Sequence, residues 1–563
     1  MRKICSLIIH FLVIVTLFSC SDTKTDTNVT AFVYNESNGV QSLDPALASY
    51  RSAIWIGSQI FNGLVELDSQ LNVGPSIAKS WEYDSTGTLL TFHLRSDIRF
   101  HDNSCFPSNR GRIVTANDIE YSFKRLCNAR TKSTGFWVFR DKVIGASEYF
   151  EQSQSGNIPE SIQGFRTVND STFEIRLMKP FAPFLSILTT PFCWIVPHEA
   201  IEYYGERFGR NPVGTGPFVF REWQEDISLL LEKNKHYFKK DAKGIALPYL
   251  DKITVGFARN NKSEFFEFSQ GKLDFISSID LSVHDKVFTP QGQLTSEYAQ
   301  FQLMTASAQS IEYYGIMTDK SLSVAQSVPF CGDKRIRQAM NYAIDRQKIV
   351  EYVLKNKAIP AHQGIIPPGF PGYSSQTGGY SYNIAKAKQL LAEAGYPEGK
   401  GLPECTLQIG ANETTASVAE AIIEQWKQIG INTKLLQVDF PRHLSMIRNG
   451  ELALWRTSWI ADYSDPENFL SLFYSKNAAP AGPNTTRVAL RIADSLYEAA
   501  LRPTISQSQR YALYNQMERI ILEESPWIFL YYNTNTWLVQ PNVHGLKATN
   551  PLRLPLEYVK KTS

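Results

Sequence analysis

Stretches of period-two hydrophobicity alternate with stretches of period 3.6 through most of this 563-residue chain. That pattern restricts the fold to α/β layering, because strands bury alternate side chains, helices bury a stripe, and each covers the other. Leu89 to Arg95 alternates like a strand, and Ala116 to Leu126 then reads as a helix with Thr115 as its cap. The second half is more regular. Ile336 to Ala343 is helical, Asp345 caps a following helix through Leu354, Ile384 to Ala394 stops at Gly395, and Val418 to Ile429 stops at Gly430. Ile431 to Val438 and Leu452 to Trp459 read as strands, and Asp465-Pro466-Glu467 as the cap and first turn of another helix. A tight turn at Gly214-Thr215-Gly216-Pro217 is no phosphate loop, since Pro217 removes an amide donor and no Lys-Ser/Thr follows.

The length suits three or four domains of ordinary size, which makes a deep interdomain cleft feasible. At the amino end, Arg2 and Lys3 precede an apolar run from Leu7 to Phe18, broken only by His10 and Thr16 and followed by Ser19-Cys20. This is the layout of a secretory signal (residues 1–20), too short for a spanning helix of roughly 20 residues. Leu17-Phe18-Ser19-Cys20 resembles a lipobox, whose cysteine is lipidated after cleavage, although Phe18 is bulkier than that pattern usually has. Residues 21–30 read as a solvated tether. A chance cysteine closing an ordinary signal is the competing reading of Cys20. Either way the body is expected outside the cytoplasm, in the periplasmic space or cell envelope; the lipobox reading adds membrane attachment through Cys20.

Setting aside Arg2 and Lys3, 55 basic residues face 55 acidic ones, a balance without the electrostatic footprint of a nucleic-acid binder. Cys105, Cys127, Cys193, Cys331 and Cys405 are odd in number and lack CxxC spacing, so one or two disulfides are permitted and no pairing follows.

A series of short blocks then carries a family likeness. In order they include Ser42-Leu43-Asp44-Pro45, Phe61-Asn62-Gly63-Leu64-Val65, Ile77-Ala78-Lys79-Ser80-Trp81-Glu82, Asn211-Pro212-Val213-Gly214-Thr215-Gly216-Pro217, Gly271-Lys272-Leu273-Asp274, Ile336 to Arg346, and Ala392-Glu393-Ala394-Gly395-Tyr396. Their order resembles the peptide- and nickel-binding family (family 5) of ABC-importer solute-binding proteins, nearest its oligopeptide-binding members. The resemblance implies an α/β, two-lobed cleft fold of the periplasmic-binding-protein type (class II, cluster C) with an extra third domain. One lobe would comprise 21–65, 190–277 and 536–563, the extra domain 66–189, and the second lobe 278–535. Crossings near Ile276-Ser277 and Tyr532-Asn533 would be hinge strands. A short peptide would be the ligand, permease subunits of the importer the protein partner, and the protein a monomer without cofactor or metal.

A free peptide is an extended zwitterion, and taking either terminus out of water unpartnered costs several kcal/mol. Its binder needs an anion for the ammonium and backbone groups that pair like a strand. The segment Leu454 to Tyr463 holds Arg456 on a strand and Asp462 just past its carboxyl end, where open α/β sheets place ligands. It is similar to the family's amino-terminus-binding segment, which implies that Asp462 receives the ligand ammonium, that Arg456 meets the carboxylate of a short peptide, and that Trp459 walls the pocket, with Tyr463 of the same segment a further ligand-binding candidate. Arg456 has a plain alternative as a structural ion-pair partner, and Trp455 and Trp459 as core. By the same resemblance Ser49, Tyr50 and Arg51 lie where the first lobe meets the ligand, and Tyr532 at the hinge.

An extracytoplasmic hydrolase is the rival class, yet there is no Gly-x-Ser-x-Gly elbow, and His198-Glu199 begins a zinc-helix motif that Glu202 and Tyr203 fail to complete. Nine histidines without an i,i+4 helical pair argue against a protein-held metal, while nickel chelates and oligosaccharides remain alternative ligands within the family.

Overall fold

The computed structural model describes residues 29–548, 550 and 553–562. Cys20, the signal and most of the tether lie outside the described residues. Among those described, no helix is long and apolar enough to cross a membrane.

The largest sheet has twelve strands. From one edge they run Thr433–Val438, Cys405–Gly410, Leu454–Ile460, Ser310–Ile316, Trp527–Val539, Phe275–Ile276, Ala31–Asn35, Lys252–Gly256, Ser228–Lys233 and Phe218–Gln224. Gln302–Ser307 and Ala358–Pro360 pair in addition with Trp527–Val539. That thirteen-residue strand joins the two halves of the sheet. Its start pairs with Ser310–Ile316, and its end with Gln302–Ser307 and Phe275–Ile276. A separate four-stranded antiparallel sheet orders Ala78–Tyr83, Leu89–Leu94, Thr172–Arg176 and Phe165–Asn169. The α/β expectation holds throughout.

Apolar packing explains why these layers cohere. One core gathers the first half of the chain with its end: Trp537 meets Trp55 edge-on at 5.7 Å and Phe275 at 5.3 Å. A second collects around Tyr314 and Trp426, whose rings meet edge-on at 6.0 Å, and the Trp426 indole N–H donates to the Met340 carbonyl at 2.9 Å. A third lies on the other face of the same strands, with Tyr313, Phe473, Trp527 and Tyr532.

Several elements follow their sequence signals closely. The helix Ala116–Cys127 begins with a reciprocal cap in which Asp118 accepts from the Thr115 backbone N–H at 2.8 Å. Ile384–Glu393 ends before Gly395, which adopts a positive φ of 95°. Elsewhere tertiary contacts move the boundaries. The helix expected from Val418 starts at Glu413, because Asn412 caps it and the polar first turn gives no hydrophobic signal. Asp345 does cap Lys348, but the helix becomes a π-type turn over Ile349–Val353. All five described cysteines are free thiols, and burial pushes those of Cys193 and Cys331 up to about 12.

Glu518 is buried at the root of the 361–380 segment and accepts the Ile365 and Ile366 backbone N–H groups at 2.5 and 3.0 Å. Only a glycine brings that backbone so near: Gly364 has φ +89°, and a Cβ there would lie 2.4 Å from the carboxylate. Burial pushes the Glu518 pKa from 4.5 up to about 7, with the two N–H bonds offsetting it in part. Between those values the folded protein keeps a proton that the unfolded chain has released. Its stabilising contribution is therefore complete below 4.5 and is lost as pH rises through about 7. His101, held down to about 4 by burial, acts in the opposite sense. The quantity to read is thus the melting-temperature difference between wild type and Glu518→Gln. We expect wild type to lose ground to the variant as pH is raised across that window; a pH-independent difference would refute the protonated state.

Candidate functional site

The strand Leu454–Ile460 lies between Ser310–Ile316, antiparallel, and Cys405–Gly410, parallel. Alternation turns Trp455 into the second core, fully buried, and leaves Arg456 half-buried on the other face. There the Arg456 guanidinium donates to Glu312, which sits on the neighbouring strand and also accepts from the Asn533 amide at 3.0 Å. The Arg456 charge is therefore answered within the protein.

Two residues beyond the strand, Asp462 is reached by water. Surrounding protein mass nonetheless raises its pKa above the ordinary carboxylate value, a shift that a hydrogen bond from Asn468 opposes. Water access and a raised pKa agree if the carboxylate lies in a concavity rather than on a convex surface. Asp462, Tyr463 and Ser464 indeed line an open pocket together with Ser58, Phe61, Leu67, Thr190 and Trp194. Its lining contains a stacked Phe61–Trp194 pair with centroids 5.9 Å apart. Glu66 and Arg553 also line it, but they are ion-paired with Lys239 and Glu557. Among the described residues Asp462 has no ion-pair partner.

The loop carrying Asp462 is tied down on both sides. The Tyr463 hydroxyl donates to Glu467, and its ring stacks on Trp137 at 6.1 Å. Trp459 is half-buried and donates its indole N–H to Asn468 Oδ1 at 2.8 Å. Asp465 accepts the Glu467 N–H at 3.0 Å and faces Arg510 at 2.7 Å, as a cap that leaves Asp462 free.

The other sequence-derived candidates are placed differently. Ser49 hydrogen-bonds Thr134 at 2.6 Å, Tyr50 is 67% exposed, and Arg51 reaches Glu36 at 3.6 Å while covering the Trp55 ring at 4.5 Å. Tyr532 is buried in the third core and donates its hydroxyl to the Gly364 carbonyl at 2.8 Å. The pocket thus unites Asp462 and Tyr463, whereas Arg456, Arg51 and Tyr532 are engaged in contacts outside it. Trp137, Trp194 and Asn468 had no local signal; Phe61 stood in a block already noted.

One three-residue cluster of metal-ligand type occurs among the described residues, Asp118, His198 and Glu199. Arg112 fills it, with two hydrogen bonds to Asp118 at 2.6 and 2.7 Å and two to Glu199 at 2.5 and 2.9 Å. A guanidinium stands where a cation would, and the His198-Glu199 pair is accounted for by that ion-pair network.

Residues 72–481 match the family model described as bacterial extracellular solute-binding proteins, family 5 Middle. The chain is 28% identical over 538 residues to heme-binding protein A of Haemophilus influenzae, spanning 93% of this chain and 91% of that protein. It is 29% identical over 532 residues to the periplasmic oligopeptide-binding protein OppA of Escherichia coli, spanning 92% and 90%. The unliganded open form of the periplasmic murein tripeptide-binding protein MppA superposes with a TM-score of 0.80 at 25% identity, over 95% of this chain and 98% of that one. With a family model matching most of its length and relatives aligned nearly end to end, the chain belongs to family 5 of the bacterial extracellular solute-binding proteins.

Proposed function

We propose that this protein is a lipid-anchored receptor outside the cytoplasm that captures short peptides, oligopeptides foremost, and delivers them to an ABC-type importer. Asp462 carries the reading. It is a carboxylate open to water, free of ion pairs among the described residues, and set in a pocket whose opposite charges are already matched. A peptide's terminal ammonium is its chemical complement, and enclosure in the pocket would make that pairing strong.

Relatives named for oligopeptides and for a murein tripeptide support the ligand class. Similarity to an unliganded open form supports a cleft that closes on its ligand, because contacts from two lobes exist together only in the closed state. In this reading one lobe is 21–65, 190–277 and 536–563, the other 278–535, and 66–189 the additional domain. With Arg456 answered by Glu312, the preference for oligopeptides rests on family likeness rather than on a free guanidinium.

Native mass spectrometry of protein purified from its own host tests the assignment. We expect retained peptides of a few residues, intact after release by denaturation. Retained heme or sugar, or peptides cleaved on incubation, would overturn it.

A further inference from the structure

The loop 461–466 is held at its base by two adjacent side chains of the short helix Glu467–Leu470. Glu467 accepts the hydroxyls of Tyr463 and Tyr497, pinning the ring beside Asp462. Asn468 does something different. It is 3% exposed, and its single amide oxygen accepts from two donors, the Trp459 indole N–H at 2.8 Å and the Asp462 backbone N–H at 3.2 Å.

Those two donors lie on opposite sides of the chain's exit from the strand Leu454–Ile460. Trp459 is the penultimate strand residue, and Asp462 is the second residue after its end. One acceptor bound to both spans the exit, so neither the indole nor the Asp462 backbone can rotate without breaking a bond. A buried acceptor with two donors is hard to replace, since losing it strands both of them away from water. An apolar side chain of the same size would satisfy the packing but not the bonds.

We propose that Asn468 is a positioning residue of the ligand site, holding Trp459 and the Asp462 backbone in register so that the carboxylate faces the pocket before ligand arrives. The proposal rests on Asp462 being the peptide anchor. It adds that the anchor is preorganised by a side chain six residues downstream, and preorganisation raises affinity by removing an ordering cost from binding.

The test uses full-length protein, tetra-alanine and N-acetyl-tetra-alanine as probes, and the ligand-free crystal structures of two variants. Asn468→Ala removes both acceptor bonds, whereas Asn468→Asp keeps an acceptor oxygen but sets a second carboxylate beside Asp462 in place of the amide donor, so it is read only by the positions of the Trp459 indole and the Asp462 backbone. We expect Asn468→Ala to reduce the preference for the free amine over the acetylated peptide at least tenfold, with Asp462 and Trp459 displaced in its structure. Asn468→Asp should retain the positions of the Trp459 indole and the Asp462 backbone. A variant that merely destabilised the protein would weaken both probes equally and leave their ratio unchanged, which overturns the proposal. An unmoved Asp462 in the Asn468→Ala structure also overturns it, whether or not either probe binds. Should Asn468→Ala fail to fold, displacement of the Asp462 backbone or of the Trp459 indole in Asn468→Asp decides against it. If wild type binds neither probe, the peptide reading fails separately, and the ligand-free structures still decide the positioning role.

Discussion

Replacing Asp462 with asparagine is expected to lower the affinity for a short peptide by about 2–5 kcal/mol, which is roughly 30-fold to several-thousand-fold. The substitution is nearly isosteric, so the loss is one of charge rather than shape. In the empty protein Asp462 is reached by water and its desolvation is partial. In the closed complex the ammonium leaves water, and an amide cannot replace the anion that compensates it. The same loss should be absent for an N-acetylated peptide, which has no ammonium to strand. Isothermal titration with tetra-alanine and its acetylated form measures both quantities. An Asp462→Asn protein that binds the free peptide as wild type does would remove Asp462 from the site.

The second large effect concerns folding. Arg346 is 1% exposed, and its guanidinium is spent on carbonyl oxygens: Phe529 at 2.6 Å, Asn341 at 3.0 Å, Tyr380 at 3.2 Å and Ile344 at 3.3 Å, with the Asn341 side-chain oxygen at 2.8 Å. No carboxylate is paired with it among the described residues, and burial lowers its pKa to about 10. The planar fork ties the helix Lys334–Tyr342, the strand Trp527–Val539 and the 380 region together at one point. Arg346→Met would leave several buried carbonyls without donors, a cost on the order of 3–5 kcal/mol. For a chain of this length unfolding as one unit, the melting temperature should fall by about 3–4 °C. Lysine, a point charge without the fork, should rescue only a small part of it. A melting temperature within a degree or two of wild type would show that water replaces the guanidinium.

How much of the site was legible depends on the range of the interaction that builds it. Asp462 could be singled out because its strand, its turn and its cap at Asp465 are all local, and the family's segment order pointed to the role proposed for it. Arg456 could be singled out as well, but its state could not. Glu312 lies 144 residues away in the chain, and only the antiparallel pairing of two strands puts its carboxylate against the guanidinium. Trp137 is a similar case, coming from a segment 326 residues before Tyr463, and an aromatic in a short helical turn has no marker for the ring it will meet. The His198-Glu199 pair shows the converse, since its partner Arg112 was invisible until the fold brought it in.

Residue pattern alone was enough for the layered α/β class, the positions of most helices and strands, and the chemistry of a charged strand end. Those properties follow from periodicity, caps and turns, which act over a few residues along the chain. Which charges stay open and which are neutralised was settled only by folding. Ion pairs and shared acceptors such as Asn468 join elements whose proximity comes from sheet pairing and core packing, and Coulomb and hydrogen-bond energies depend on distance in space rather than along the sequence. The alternating pattern specified that a sheet and helices would form. The tertiary contacts made Asp462 the carboxylate left without an ion-pair partner, among the described residues, in the pocket.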